Sequence, residues 1–344
     1  MKTQKLILNY LKNKANSSSK EIFEGLNSVV SYATVKRNLS KLLNENYIIK
    51  LGNAKNSRYT LSPTLNLFYP IDIDDYYTKE IDEREILTTY NFSLIPETLQ
   101  NASLFTSQEL VLLDDLQNNF SKNIAQLSSF EYQKDMERFA IDLSWKSSQI
   151  EGNTYSLLET ERLLKDKHTA EGKTKDEAIM LLNHKDAIDF VVANPDYFLS
   201  LSIAKMEDLH SILIKELGID RNIRTRRVGI TGTNYRPLEN EFQIREALQQ
   251  TCDLINNRDN VFEKALFALV LFSYIQAFTD GNKRMARITA NALLMANKYC
   301  PISFRTVDSI DYKKAMLLFY EQNNISAFKQ IFINQFKFAV ENYF

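Results

Sequence analysis

The sequence predicts a mainly α-helical protein with more than one domain. Only 8 Gly and 6 Pro occur among the 344 residues, and Leu, Ile, Lys, Glu and Asn are abundant. Such a composition favours helices over strands. Apolar residues recur at helical spacing from position 107 to 194, with an interruption near 169–173. At about 100–200 residues per domain, this length predicts two or three domains with separate cores.

The composition also excludes several classes of protein. The two cysteines, Cys252 and Cys300, are too few for a disulfide scaffold or a cysteine-built zinc site, and the three histidines are widely spaced. No stretch reaches the ~18 uninterrupted apolar residues of a membrane span. The N-terminal residues carry charges every few positions, unlike a signal peptide. We therefore expect a cytoplasmic protein that has no membrane partner.

The net charge of −1 conceals an uneven distribution of charge along the chain. Residues 1–60 contain eleven Lys or Arg and three Glu, a net charge of +8, which leaves −9 for the remainder. A basic head on an acidic body predicts a polyanion-binding module joined to a second unit.

The head, residues 1–62, has the element order of a winged helix-turn-helix domain. Two helical stretches are followed by a third that Ser31 would cap, and then by the strand-forming runs YIIKLG and RYTLS around a polar tip. The side chains expected to contact DNA lie on the third helix and the wing: Lys36, Arg37, Ser40, Lys55 and Arg58. The alternative is a winged module used for dimerisation or protein contacts. Residues 63–106 are interpreted as a linker that partly packs on its neighbours and has no chemistry of its own.

A polar pattern ends one predicted helix of the region 107–200. In SWKSSQIEGNTYSLLETE, residues 144–161, Ser147 and Glu151 are four positions apart and share one helical face, and Gly152 and Asn153 end the helix. On spacing alone the pattern favours the alternative, a capped helix end with an exposed Glu.

The clearest local motif occupies residues 265–295. An apolar helix leads into the turn Thr279-Asp280-Gly281-Asn282, and the next helix carries cationic side chains in its first turns: Lys283, Arg284 and Arg287. Free N–H groups and the positive dipole end at a helix start bind anions, and Gly281 lets the backbone approach a phosphate closely. The alternative is an ordinary helical corner, but cations at a helix start oppose the dipole. Asp280 at the mouth is a candidate Mg²⁺ ligand.

Upstream, residues 224–240 alternate in a pattern that predicts a short β-hairpin, with strands at 227–230 and 235–237 around a Thr-Gly-Thr-Asn turn. Beside a phosphate site, such a hairpin would clamp an extended segment of a protein substrate by strand addition. The alternative is a surface turn.

Together these features resemble the Fic/Doc (Fido) family of nucleotidyl transferases. The family signature H-x-F-x-[DE]-G-N-[GK]-R-x-x-R is similar to QAFTDGNKRMAR at 276–287, and SSQIEGN is similar to the inhibitory motif [ST]-x-x-x-E-[GN]. LHSIL at 209–213 and VGITGTNYRP also look like family elements. The resemblance covers roughly residues 110–340. It implies a Fic-type helical bundle, with the core and C-terminal helices at 201–344, and a target flap built from Val228, Gly229, Ile230, Thr231 and Gly232.

The resemblance implies transfer of AMP from ATP to a hydroxyl of a protein side chain. It implies that Asp280 binds Mg²⁺ and that Glu151, with Ser147, holds Arg287 in a resting state. The residues implied to bind the nucleotide are Gly281, Asn282, Lys283, Arg284 and Arg287. The expected partners are ATP and a protein target, with DNA at the head; a homodimer is left open.

One residue departs from the family pattern. The catalytic His is Gln276, and Ala277 replaces the usual Pro. A glutamine amide cannot accept a proton near pH 7, and general-base catalysis contributes ~10²–10⁴-fold. The family that this sequence resembles also includes members with Lys at the position of Lys283 that transfer phosphate instead of AMP, so the transferred group is open. Two hypotheses follow: an autoinhibited adenylyltransferase that uses Gln276 and Arg284 in catalysis, or an ATP-binding, DNA-binding regulator with impaired catalysis.

Overall fold

The head contains the elements predicted for it and one additional strand. The computed structural model describes residues 2–26, 29–53 and 56–344. The head elements are α1 (Lys2–Asn13), β1 (Ser17–Ser18), α2 (Ser19–Gly25), α3 (Tyr32–Asn44), β2 (Ile48–Leu51) and β3 (Arg58–Leu61). The Ser18 and Ser31 side chains accept hydrogen bonds from the N–H groups of Glu21 and Thr34, and so cap α2 and α3.

The strands of the head form an antiparallel sheet in the order β1-β3-β2. β1 pairs Ser17 with Tyr59, an element too short to be predicted from the sequence. The apolar faces of α1 and α3 meet under this sheet in a separate core that includes Ile7, Leu39 and Ile48.

The segment that follows the head packs on the body of the protein. It contains α4 (Leu65–Phe68), α5 (Ile73–Tyr76), a 3₁₀ turn (Ile81–Glu83) and a π-helical turn (Leu94–Leu99). Phe68 and Ile95 lie in the main core, and the Asn324 side chain donates to the carbonyls of Asn66 and Tyr69 at 2.7 and 2.8 Å. The segment thus has one face in the main core. The domain boundaries given above stay predictions.

The body is a bundle of α-helices. Its members are α6 (Ser107–Ile124), α7 (Ser129–Ile150), α8 (Leu157–Asp166), α9 (Lys175–Ala193), α10 (Ile203–Leu213), α11 (Glu241–Asn256), α12 (Val261–Ile275), α13 (Asn282–Ala296), α14 (Ser309–Gln322) and α15 (Ser326–Asn342). In the described part of the chain, no helix combines the length and apolar character needed to cross a bilayer.

Helix α12 lies at the centre of the bundle, because every one of its residues except Lys264 is buried. A helix that is apolar on all sides has to be surrounded by others, and α11, α13 and α14 pack against it. α12 ends at Gln276, which adopts the left-handed conformation (φ +53°). The chain then reverses, and α13 runs back along α12. The predicted phosphate motif therefore occupies the tight turn between two buried helices.

The β-hairpin predicted at 224–240 is wrong. These described residues contain no paired strands, and the sole bridge is parallel, between Arg236 and Thr89. Other hydrogen bonds take the place of a ladder: the Arg236 N–H donates to the Thr88 carbonyl at 2.9 Å and the Arg224 N–H to the Ala277 carbonyl at 3.0 Å, while the Arg224 side chain donates within the segment to the carbonyls of Arg226 and Leu238. Tyr235 is buried against Tyr274, at a ring distance of 5.0 Å. These contacts thus replace the paired strands that the alternation of side chains had predicted.

Candidate functional site

A cavity of about 440 Å³ lies at the turn between α12 and α13. Its walls come from the end of α7, the loop before α11, the turn itself and α14. The lining residues are Ile150, Glu151, Val228, Gly229, Ile230, Thr231, Gln276, Thr279, Asp280, Gly281, Asn282, Lys283, Arg284, Tyr312, Lys313, Met316, Leu317 and Tyr320. The sequence patterns located three of these walls. Nothing in the sequence of α14 indicated that it supplies the fourth.

The start of α13 is suited to binding an anion. Gly281 has φ +83°, and a Cβ atom there would lie 3.4 Å from both the His210 ring and Ile214. Among the described residues, no side chain caps this helix start by a hydrogen bond. Its first N–H groups are therefore available to an anion in the cavity.

Asn282 and His210 hold the turn in this conformation. The Asn282 side chain accepts a hydrogen bond from the Phe278 N–H at 2.8 Å and donates to the Phe278 carbonyl at 2.7 Å. The His210 ring stacks on Phe278 at 3.7 Å, and its Nε2 lies 2.9 Å from the Asp280 carbonyl oxygen. Burial lowers the pKa of His210, so the neutral ring donates this hydrogen bond. Nothing in the sequence indicated this role for His210, which lies in the family-like segment LHSIL at 209–213.

Glu151 lies between two cations of α13. Its Oε1 is 2.8 Å from Arg287 Nη2, and its Oε2 is 2.9 Å from Lys283 Nζ. The Arg287 side chain also donates to the hydroxyl and the carbonyl of Ser147, at 2.8 and 2.9 Å. The structure thus brings together Ser147, Glu151 and Arg287. The contact between Glu151 and Lys283 was not predicted, although 283 and 287 are neighbours at i, i+4 spacing on one face of α13.

These contacts determine the charge state of Glu151. Burial by itself would raise the pKa of this carboxyl group, but Arg287 and Lys283 together outweigh burial and lower the pKa to about 2. Glu151 is therefore ionised at neutral pH, and both of its oxygens are occupied by cations of the phosphate motif.

Arg284 and Asp280 form a second, weaker pair at the cavity. Arg284 Nη2 lies 3.3 Å from Asp280 Oδ2; the Arg284 side chain is 1% exposed and the Asp280 side chain 61% exposed. The other Asp280 oxygen accepts the Gly281 N–H at 2.6 Å. No group of three His, Cys, Asp or Glu side chains is assembled for a metal within residues 2–26, 29–53 and 56–344. Mg²⁺ is commonly held by one or two carboxylates together with substrate phosphates, so one exposed carboxylate fits a metal that arrives with a nucleotide.

Gln276 is held by hydrogen bonds within the turn. Its Nε2 donates to the Ser273 carbonyl at 2.6 Å and lies 3.5 Å from the Tyr320 hydroxyl, and its Oε1 accepts from Asn282 at 3.2 Å. The side chain lines the cavity and can offer a second lone pair of Oε1 to a hydroxyl. It cannot remove a proton from that hydroxyl.

The residues predicted to contact DNA are separate from the cavity. Lys36, Arg37 and Ser40 are exposed on α3. Arg58 is instead engaged within the head: it donates to the Asn16 carbonyl at 2.6 Å and pairs with Glu21 at 3.2 Å. Lys55 lies outside the described residues.

The comparisons with known proteins point to one family. Residues 200–294 match the model of the Fic/DOC family. The chain is 27% identical over 175 residues to "Protein adenylyltransferase Fic" of Nematostella vectensis, covering 49% of this chain and 40% of that protein. It is 25% identical over 162 residues to "Protein adenylyltransferase fic-1" of Caenorhabditis elegans, covering 44% and 31%. Both matches support membership of the Fic family, although the chain spans two fifths or less of the length of these curated relatives.

Solved structures share the fold. Fic-1 from C. elegans (residues 134–508) superposes with a TM-score of 0.59 at 18% identity, covering 69% of this chain and 71% of that chain. A Fic domain containing signaling protein from Bacteroides thetaiotaomicron gives a TM-score of 0.54 at 18% identity, covering 67% and 92%. At these identities the likeness shows a mainly helical, Fic-like fold.

The lowered pKa of Glu151 gives a pH-dependent prediction. A carboxyl group whose pKa falls on folding from 4.5 to about 2 stabilises the protein above pH ~4.5 and loses this contribution as the pH falls towards 2. At 1.36 kcal/mol per pKa unit, we expect Glu151→Gln to lower the free energy of unfolding by about 3 kcal/mol at pH 7. Urea denaturation of both proteins should show this difference shrinking below pH ~4.5. Glu171→Gln, at an exposed residue, is the control. A stability difference between the wild type and Glu151→Gln that stays constant with pH would contradict a lowered pKa of Glu151.

Proposed function

We propose that the protein is a Fic-type adenylyltransferase that transfers AMP from ATP to a hydroxyl of a protein side chain and releases pyrophosphate. The observation that carries this proposal is the α13 start: a helix N-terminus without a side-chain cap among the described residues, with Gly281 allowing close approach and two cations of α13, Lys283 and Arg284, lining the cavity. The names of the relatives support ATP as the substrate and a protein as the target.

Each nucleotide-binding side chain has a proposed role. The N–H groups of Asn282 and Lys283 would hold the inner phosphates, with Gly281 allowing their close approach, and Arg284 would pair with the outer ones in forked geometry. Mg²⁺ held by Asp280 and phosphate oxygens would neutralise part of the phosphate charge when bound. The 440 Å³ cavity lies directly over these groups.

We assign Glu151 an inhibitory role. Its carboxylate occupies both Arg287 and Lys283, so neither cation is free to orient an outer phosphate. A negative charge that is only partly exposed, in the cavity wall, would also repel that phosphate. Ser147 accepts from Nε and Nη2 of the Arg287 guanidinium, and this same Nη2 is directed at Glu151.

Gln276 leaves the chemical step without a general base. The remaining contributions are positioning and charge stabilisation, which carry much of phosphoryl-type transfer. Gln276 Oε1 would accept a hydrogen bond from the target hydroxyl and orient it, with proton loss left to solvent. Arg284 would stabilise charge on the phosphates during transfer.

A second candidate function is a nucleotide-sensing transcriptional regulator. Two observations favour it: Gln276 in place of a base, and the exposed Lys36 and Arg37 on α3 of a head with net charge +8. We propose that the head, residues 1–62, is a winged helix-turn-helix in which α3 enters the major groove. Arg58 is the weakest member of the predicted set, because Glu21 already neutralises it.

The phosphate assignment predicts that the protein binds Mg-ATP and that Arg284 contributes to binding. Replacing Arg284 by Ala removes a charged hydrogen bond to phosphate, so we expect affinity to fall by ~1.5–3 kcal/mol. Calorimetry measures the loss. Arg245→Ala, which removes a half-exposed Arg from α11 away from the cavity, is the matched control. Equal affinity in the wild type and Arg284→Ala would refute the assignment.

Inhibition and base loss predict an ordered series of activities. Glu151→Gly frees Arg287 and Lys283, so labelling of protein by ATP tagged at the α-phosphate should rise. Gln276→His adds a base and should raise it a further ~10²–10⁴-fold; His also tolerates the left-handed backbone of this position. The double variant should exceed both single variants.

One control variant and two outcomes of this series separate the two candidate functions. Arg284→Ala in the double variant should abolish labelling. Strong labelling by Glu151→Gly with no gain from Gln276→His would show that the base was never limiting. A silent double variant that still binds ATP would favour the regulator.

The DNA proposal predicts salt-dependent binding by the full-length protein. Phosphate contacts release counterions, so affinity for duplex DNA should fall steeply as salt rises. Lys36→Ala with Arg37→Ala should weaken binding and flatten the salt dependence. Lys12→Ala with Lys20→Ala removes the same charge from α1 and α2 and should change binding less. Equal effects of the two pairs would mean that α3 does not contact DNA.

A further inference from the structure

Residues 228–232 form a loop that is called the target loop. It is anchored by residues 82–88, which belong to the segment between the head and the helical body. The Gly232 carbonyl accepts a hydrogen bond from Arg84 Nη2 at 2.9 Å. Two residues on, the Asn234 side chain donates to Asp82 at 2.8 Å, and Arg236 donates to the Thr88 carbonyl. Residues 82–88 therefore supply hydrogen bonds to residues 232–236 in place of those that the predicted hairpin would have formed internally.

The Arg84 side chain is itself held in one orientation. Its Nη1 lies 3.1 and 3.2 Å from the two carboxylate oxygens of Glu321, and both side chains are almost fully buried, at 3% and 1% exposed. The Tyr76 hydroxyl donates to Glu321 at 2.8 Å, and the Arg84 guanidinium lies 5.1 Å from the Tyr77 ring centroid. Arg84 Nε and Glu321 Oε1 have no further hydrogen-bond partner among the described residues, so the orientation of this buried guanidinium depends on Glu321 and on the Gly232 carbonyl.

The partner of Arg84 belongs to the helix that forms a wall of the cavity. Glu321 follows Tyr320 on α14, and both Tyr320 and Leu317 line the cavity. Gly232 has φ +91°, and a Cβ atom there would lie 3.2 Å from Leu317 Cδ1, so the target loop turns directly against α14. Arg84 thus ties the loop to the same helix that bounds the nucleotide site, without lining the cavity itself.

We propose that Arg84 is a positioning residue for binding of the protein target. With Glu321 it fixes the Gly232 carbonyl, and so holds the backbone of the target loop at the distance from the cavity where an extended protein segment would pair with it. This inference rests on the proposed function. The segment 63–106, predicted to lack chemistry, would then determine the geometry of target binding.

The test reports on the loop directly. Cys252 and Cys300, the two cysteines of the sequence, are buried, so a nitroxide attached to Thr231→Cys labels the exposed target loop selectively. Arg84→Lys keeps the charge beside Glu321, but a compact ammonium cannot bridge the carboxylate and the Gly232 carbonyl in a fixed fork. We expect the label to become about twofold more mobile on the nanosecond timescale.

Tyr77→Phe is the matched control, because it removes a hydrogen bond from the same cluster, to the Lys314 carbonyl, that does not reach the loop. It should leave the spectrum unchanged. Thermal melting verifies that each variant is folded; if Arg84→Lys is not, Glu321→Gln, which keeps the shape of the partner and removes its charge, gives the same comparison. An unchanged spectrum in a folded Arg84→Lys or Glu321→Gln would overturn the proposal.

Calorimetry with Mg-ATP separates this inference from the proposed function. We expect wild type and Arg84→Lys to bind Mg-ATP equally, because Arg84 does not line the cavity. A loop loosened by Arg84→Lys in a protein that never binds ATP would support the anchoring and overturn the adenylyltransferase proposal. Equal loosening by Tyr77→Phe would overturn the specific role of Arg84.

Discussion

The hydrogen bonds from the Asn282 side chain to the Phe278 backbone are the constraint on which the candidate site depends. They close the turn between α12 and α13 by tying its first residues to the first residue of α13. With α12 buried on all sides, the turn has a fixed position in the bundle. Every proposed phosphate ligand is then placed by the direction of α13: Gly281 before it, Lys283 and Arg284 in its first turn, and Arg287 one turn further.

The same turn explains why the site contains several buried charges. Arg284 and Arg287 are almost completely buried, a position that a cation occupies only with a partner. Glu151 supplies that partner for Arg287 and Lys283, and Asp280 for Arg284. Arg287 Nη1 still has no hydrogen-bond partner among the described residues. An anionic ligand would therefore meet cations that the fold has already desolvated, and Glu151 is the group with which it competes.

The target loop depends on a second constraint, which links distant parts of the chain. Residues 82–88 hydrogen-bond to the target loop at Gly232, its last residue. Before the loop, the Arg224 side chain donates to the Gln276 and Leu238 carbonyls. Gln276 thus connects the turn to the loop through its backbone while its side chain faces the cavity. A structural change in the segment that follows the head would alter the target loop through Arg84, because Arg84 contacts the loop but does not line the cavity of the nucleotide-binding groups.

The sequence by itself determined those parts of the protein that are encoded by local patterns. Apolar periodicity and capping residues predicted the helices of the head, and adjacent residues 280–287 predicted the turn and helix start at the cavity, because neighbours in a helix start are also neighbours in space. Spacing placed Ser147 and Glu151 on one helical face and the family resemblance gave them a role, but the contact between Glu151 and Lys283 was not predicted.

Only the tertiary structure decided which distant segments meet. It placed α14 along the cavity, His210 under Phe278, and residues 82–88 against the target loop. It also removed the predicted hairpin: backbone groups of residues 224–240 hydrogen-bond to Thr88, Arg84 and Ala277 in other segments, and the Leu238 carbonyl accepts from the Arg224 side chain. The physical reason is that side-chain alternation and spacing report on residues that are close in sequence. Buried charges and loop backbone groups bind partners that are distant in sequence, and only the packing of the whole bundle brings these within reach.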